Sequence, residues 1–209
     1  MGEPVPTVYV VDDDPDLLRA IGRLLESAGL RAATFPSAHQ FLERYDRSAP
    51  GCLVLDLALP GLSGLELQRV LEQQGSPLPI VFLTGRGDIA TSVQAMKHGA
   101  ADFLTKPVDD TELIAAIHEA LARDQALRSA RLEREQLAKC LAALTERERQ
   151  VLELIVAGRL NKQIAAELGT VEKTIKFHRA NLMRKMGVRV VADLVKLAER
   201  AGVGSAPRT

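Results

Sequence analysis

From Thr7 to about Ala120 the chain alternates short, β-branched apolar runs with stretches whose apolar residues recur at helical spacing. The pairs are TVYVV (7 to 11) then 16 to 28, AATF (32 to 35) then 37 to 45, CLVLD (52 to 56) then 64 to 74, PIVFL (79 to 83) then 88 to 98, and ADFL (101 to 104) then 109 onward. Runs such as VYVV and LVL are apolar at successive positions. A strand is uniformly apolar only when both its faces are covered, so the pattern predicts a (βα)5 unit with helices on both sides of a parallel sheet. Gly29 and Gly99 follow predicted helices, and Pro77 and Pro79 precede the fourth strand, where helix termination or a fixed φ is useful.

Beyond Asp109 the helical pattern continues through Leu113, Ile117, Ala120, Leu127, Leu132, Leu137 and Leu141, with no Gly or Pro from 109 to 144. Asp124, Arg131 and Arg134 interrupt the partial heptads. The spacing fits a long connecting helix with a dimer seam, and equally a charged, frayed linker. From Thr145 strand signals stop and short helices follow at 146 to 157, 161 to 168, 171 to 186 and 190 to 200, punctuated by Gly158, Gly169 and Gly187. Thr145 with Glu148 spells a capping box, and Thr170 is placed to cap the third of these helices. The expected organisation is thus a domain over 1 to 122, a helical linker over 123 to 144 and a helical domain over 145 to 209.

Charge sharpens this division. The chain is formally neutral, yet residues 1 to 144 hold 14 Lys and Arg against 20 Asp and Glu, while residues 145 to 209 hold 13 against 7. An acidic half suits a cation and a basic half suits a polyanion. At 46% hydrophobic, the 209 residues exceed what a disordered chain carries. No run approaches the apolar length of a membrane span, and Met1 to Pro6 lack the features of an export signal, so a cytoplasmic protein without a membrane partner is expected. Cys52 and Cys140 lie too far apart in sequence for a disulfide framework or zinc site.

The candidate chemistry sits at strand ends. A parallel sheet of this type binds ligands beyond the C-terminal ends of its strands, where Asp12, Asp13, Asp56, Thr84 and Lys106 fall. Crowded carboxylates repel unless a cation neutralises them, and an oxygen-rich cluster suits Mg²⁺. Lys106, set by Pro107, and Thr84, followed by Gly85, add an ammonium and a hydroxyl of the kind that hold phosphoryl oxygens, and Asp56 is the natural nucleophile. Singly, acids at strand ends are commonly solvated and a Lys-Pro is commonly a turn. The conjunction of DDD, LDLALPGLSG, LTG and TKP at successive strand ends carries the reading.

Residues 7 to about 122 resemble the receiver domain of two-component response regulators, with a flavodoxin-like fold. The resemblance implies that Asp56 accepts the phosphoryl group, that Asp13 and Asp56 ligate Mg²⁺ with Asp12 acting mostly through water, and that Ala58 gives the metal its backbone carbonyl. It further implies that Thr84 and Lys106 contact the phosphoryl group and that Phe103 is the aromatic switch position. Asp14 matches an acidic position beside the pair, outside the direct ligands.

The segment TERERQVLELIVAGRLNKQIAAELGTVEKTIKFHRANLMRKMGV resembles the LuxR/FixJ/NarL-type helix-turn-helix output domain. In that motif a recognition helix enters the major groove. The resemblance implies that Lys176, Phe177, Ala180 and Asn181 face bases and that Lys162, Thr174, His178, Arg179 and Lys185 serve phosphates; Lys173 lies on the DNA-binding helix, free to meet phosphates or base edges. Ile175, Leu182 and Met186 fall at burial spacing, and Val191, Leu194, Val195 and Leu197 make the last helix apolar enough for either a dimer surface or core closure. The long connector makes the whole similar to styrene-catabolism regulators. The implied protein is no enzyme. It is a transcriptional activator whose partners are a sensor histidine kinase, promoter DNA, RNA polymerase and, when phosphorylated, a second copy. The competing classes are a Mg²⁺-dependent phosphatase on the same sheet and a DNA-binding protein with a vestigial receiver.

Overall fold

The computed structural model describes residues 5 to 76, 78 to 85 and 100 to 203. The helix expected at 88 to 98, with Pro77, Ala90, Ala95 and Gly99, lies outside the described residues. Two compact units, Met1–Ser129 and Ala130–Thr209, divide the chain.

In the first unit the strands are β1 (Thr7–Val11), β2 (Arg31–Phe35), β3 (Gly51–Asp56), β4 (Ile80–Thr84) and β5 (Asp102–Thr105). They form one parallel sheet in the order β2-β1-β3-β4-β5. The helices are α1 (Pro15–Ser27), α2 (Ala38–Arg44), α3 (Gly64–Gln73) and the start of α4 (Asp110–Ala142). β1, β3 and β4 are buried along their whole length, as runs apolar on both faces require, while the edge strands β2 and β5 are partly exposed. Alternate residues feed two cores. Tyr9, Val11, Leu53 and Leu55 pack with Phe41 of α2 and Leu67 of α3. Val8, Val10, Cys52 and Val54 pack with Leu18 and Ile21 of α1 and with Leu113 and Ile117 of α4. The period of two thus becomes a doubly wound sandwich.

Gly51, which starts β3, could carry no side chain, because a Cβ there would lie 2.1 Å from the Thr7 carbonyl oxygen. Its N–H donates to the Asp124 carboxylate at 2.9 Å. Asp124, 2% exposed, also accepts from the Arg128 Nε at 2.8 Å, and Arg128 donates in turn to the carbonyl oxygens of Ser48 and Ala49. By spacing alone Asp124 interrupts the apolar pattern. It occupies a core-facing position, where a carboxylate is stable because its oxygens are fully engaged. The clasp ties α4 to the first unit past residue 122.

The second unit contains the end of α4, then α5 (Glu146–Val156), α6 (Asn161–Glu167), α7 (Glu172–Lys185) and α8 (Val191–Arg200). Val151, Leu152, Ile164, Ile175, Leu182 and Leu194 form its core, against which Leu137, Cys140 and Leu141 of α4 pack. Leu127 and Leu132, between the two cores, are 45% and 65% exposed. The Thr145–Glu148 capping box is present. Thr170 does not cap α7: the N-cap is Val171, without a side-chain bond, so Thr170 stands one residue before the cap position, and its N–H donates to Ala165 O in the turn after α6. Among the described residues no helix is long and apolar enough to cross a membrane.

Replacing Asp124 by Ala strands the Gly51 N–H and the Arg128 guanidinium, and is expected to cost about 3 kcal/mol in urea denaturation. Wild-type stability in D124A would show that the clasp contributes nothing to folding.

Candidate functional site

The sheet's order reverses between β1 and β3, and the crevice that this opens is the ligand site of such folds. Asp12 and Asp13 follow β1 directly, and Asp56 is the last residue of β3. Each of the three offers a carboxylate oxygen within 4.8 Å of the others; Asp12 and Asp56 are buried and Asp13 is exposed. From the end of the edge strand β5, the Lys106 ammonium lies 2.6 Å from Asp12 Oδ2 and 3.0 Å from Asp56 Oδ1. Burial pulls the Lys106 pKa down, but the hydrogen bonds and charges of Asp12 and Asp56 more than offset it, and its pKa stands above the ordinary lysine value.

Among the described residues, Asp12 and Asp56 share the Lys106 ammonium and Asp13 adds a third carboxylate beside them, a surplus of negative charge. A hard divalent cation fits that surplus: the donors are all carboxylate oxygens, gathered closely enough to meet at one ion. Asp14 is otherwise employed, as the N-cap of α1, where it accepts from the N–H groups of Asp16 and Leu17. The loop after Asp56 carries Ala58, which is exposed, and turns into α3 at Gly64. A Cβ on Gly64 would come within 2.5 Å of Asp56 O, so the close return of α3 beside Asp56 demands glycine there. Thr84 closes β4, buried, and its hydroxyl donates to Gly85 O at 3.2 Å. Phe103 is half-buried and stacks on Phe82 with ring centroids 5.0 Å apart.

In the second unit, Ile175, Leu182 and Met186 are buried as their spacing predicts. Lys173, Lys176, Phe177 and Ala180 on α7 and Lys162 on α6 are exposed, while Thr174, His178, Arg179 and Asn181 are half-buried. Phe177 is 64% exposed, an apolar ring on a basic surface. Lys176 pairs with Glu172 at 3.2 Å, an exposed contact worth little against a competing phosphate.

Lys185 stands apart from this group. Its ammonium lies 2.6 Å from the buried Glu148 carboxylate and donates to Ala143 O at 3.0 Å, so it is engaged within the domain. Glu148 is pushed up by burial but held below its ordinary pKa by Lys185 and by the Thr145 N–H and hydroxyl. Two further fastenings had no signature in the sequence. Arg147 donates to Leu168 O at 2.6 Å, bracing the end of α6, and Arg179 donates to Asn161 Oδ1 at 2.9 Å, joining α7 to the start of α6.

Residues 8–118 match the family model described as the response regulator receiver domain, and residues 142–198 match that of bacterial regulatory proteins, luxR family. The response regulator protein TodT of Pseudomonas putida is 44% identical, over 96% of this chain and 88% of that protein. The transcriptional regulatory protein FixJ of Azorhizobium caulinodans is 42% identical, over 99% of this chain and 97% of its own length. Among solved structures, the response regulator StyR superposes with a TM-score of 0.88 at 47% identity, covering 94% of this chain and 99% of StyR. Full-length FixJ from B. japonicum gives a TM-score of 0.60 at 40% identity, covering 96% of this chain and 98% of that one.

Because the folded Glu148 pKa is depressed, its contribution to stability is complete above the unfolded glutamate value and is lost as pH falls through the folded one. E148Q is expected to denature at lower temperature than wild type near neutral pH, with the gap closing as pH falls below the ordinary glutamate range. A gap independent of pH would contradict the Glu148–Lys185 pairing.

Proposed function

This chain belongs to the response regulators that join a receiver domain to a LuxR-type helix-turn-helix, a family of transcriptional regulators rather than enzymes, and from that premise we propose that it switches transcription through phosphorylation of Asp56. The observation that carries the proposal is the Lys106 bridge from Asp12 to Asp56, with Asp13 beside it. The donor is a sensor histidine kinase. The N–P bond of its phosphohistidine breaks as an Asp56 carboxylate oxygen bonds phosphorus, and the departing imidazole takes up a proton. Hydrolysis later returns the free carboxylate and inorganic phosphate.

Asp12, Asp13 and Asp56, with the Ala58 carbonyl, would hold Mg²⁺, which neutralises charge on the phosphoryl oxygens when bound. The chain's own groups do the rest. Lys106 supplies a fixed positive charge to the group that Asp56 receives. Phosphorylation adds about −1.5 to −2 charge there, and the Thr84 hydroxyl exchanges the Gly85 carbonyl for a phosphoryl oxygen. Phe103, on the strand beside β4, repacks in answer to that movement.

For the output half we assign Lys176, Phe177, Ala180 and Asn181 to base edges. The exposed Phe177 ring suits a thymine methyl. Lys162, Lys173, Thr174, His178 and Arg179 serve the phosphate backbone, while Lys185, bound to Glu148, serves the fold. Two phosphorylated copies occupy half-sites about 34–36 Å apart and recruit RNA polymerase. The protein acts in the cytoplasm, where promoter DNA and the kinase meet.

The test is a selection from random DNA duplexes, followed by affinity measurement on the selected site with and without acetyl phosphate and Mg²⁺. Wild type is expected to gain about 5- to 150-fold in affinity on phosphorylation, and D56N to gain nothing. Equal gain in D56N, or none in wild type, would favour a DNA-binding protein whose receiver is vestigial.

A further inference from the structure

Two cations of the recognition helix are held from inside the domain, in opposite ways. Lys185 meets a buried carboxylate at 2.6 Å, which cancels its charge. Arg179 meets Asn161 Oδ1 at 2.9 Å, and the side-chain amide of Asn161 is neutral. A guanidinium has only donors, so the amide must turn its oxygen toward it, and one bond leaves the other N–H groups of Arg179 and its full charge in place. Arg179 is half-buried, and its guanidinium reaches from α7 to the first residue of α6. Left unheld, such a long side chain would lose rotamer freedom on meeting DNA, a cost that a prior contact removes.

We infer that Asn161 is a positioning residue for DNA binding: it fixes the Arg179 guanidinium without neutralising it, so that its remaining N–H groups are preset for a backbone phosphate. The inference rests on the reading of α7 as the DNA-facing helix. It also assigns the first residue of α6 a task that its place in the sequence, at the start of a short helix, does not suggest. A carboxylate at 161 would orient Arg179 equally well but cancel the charge that the phosphate needs, which is why an amide fits this place.

The phosphate term is independent of sequence, so full-length protein can be titrated on a short mixed-sequence duplex over a range of salt concentrations. R179A is expected to lower the slope of log affinity on log salt by about one. N161A should weaken binding about 3- to 10-fold, the worth of one aligned hydrogen bond. The double variant should bind within about twofold of R179A alone. N161D, nearly the same shape, should keep the wild-type melting temperature yet bind more weakly than N161A.

Losses that multiply in the double variant, wild-type affinity in N161A, or wild-type affinity in N161D would each overturn the inference. Should N161A also unfold more easily, N161D decides between fold and function. If R179A itself binds as tightly as wild type with an unchanged salt slope, the phosphate role of Arg179 fails, and the inference with it. If R179A weakens binding and N161A does not, the inference alone fails.

Discussion

Asp12, Asp13 and Asp56 crowd the ends of two adjacent strands, with the Lys106 ammonium bonded to the first and the last, and the first unit is organised to keep them there. At 4 Å a pair of like charges costs about 4 kcal/mol in a partly shielded protein environment, so the cluster would spread if its carriers were free to move. They are not free. Asp56 ends a strand buried along its length, Asp12 is itself buried, and Lys106 reaches both from the end of the edge strand β5. The two cores on either face of β1 and β3 hold this surplus of negative charge in place. That surplus of carboxylate charge suits a hard cation.

β3 links that site to the rest of the chain. Its last residue is Asp56, and its first, Gly51, is bonded to Asp124 of α4. Charge gathered at one end of the strand and a buried carboxylate clasped at the other give the first unit two polar anchor points, separated by a strand buried along its whole length. The second unit uses buried and half-buried polar groups in the same way. Glu148 with Lys185, Arg147 with Leu168, and Asn161 with Arg179 fasten its short helices to one another.

The sheet and the acidic site were legible in the sequence because their signals are local. Apolar runs on both faces mark buried strands, and polar residues placed just after such runs, as Asp12, Asp56 and Lys106 are, must lie at strand ends. The fastenings were not legible, because they join positions far apart in the chain. Nothing near Asp124 announces Gly51, and nothing in the basic run of α7 separates Lys185, neutralised by Glu148, from Arg179, held by an amide. Thr170 shows the limit of residue type: it suits a helix cap, but α7 begins one residue later, at Val171. The apolar spacing of α4 was correctly periodic, yet it served two separate cores, with Leu127 and Leu132 left exposed between them.

The claim on which all else turns is that the crowded carboxylates make Asp56 a phosphoryl acceptor. Purified protein can be incubated with acetyl phosphate and Mg²⁺, trapped with borohydride and mapped by mass spectrometry. The account predicts a single modified residue, Asp56, and no modification when the metal is chelated. A protein that stays unmodified, or is modified at another residue with Asp56 intact, would contradict it.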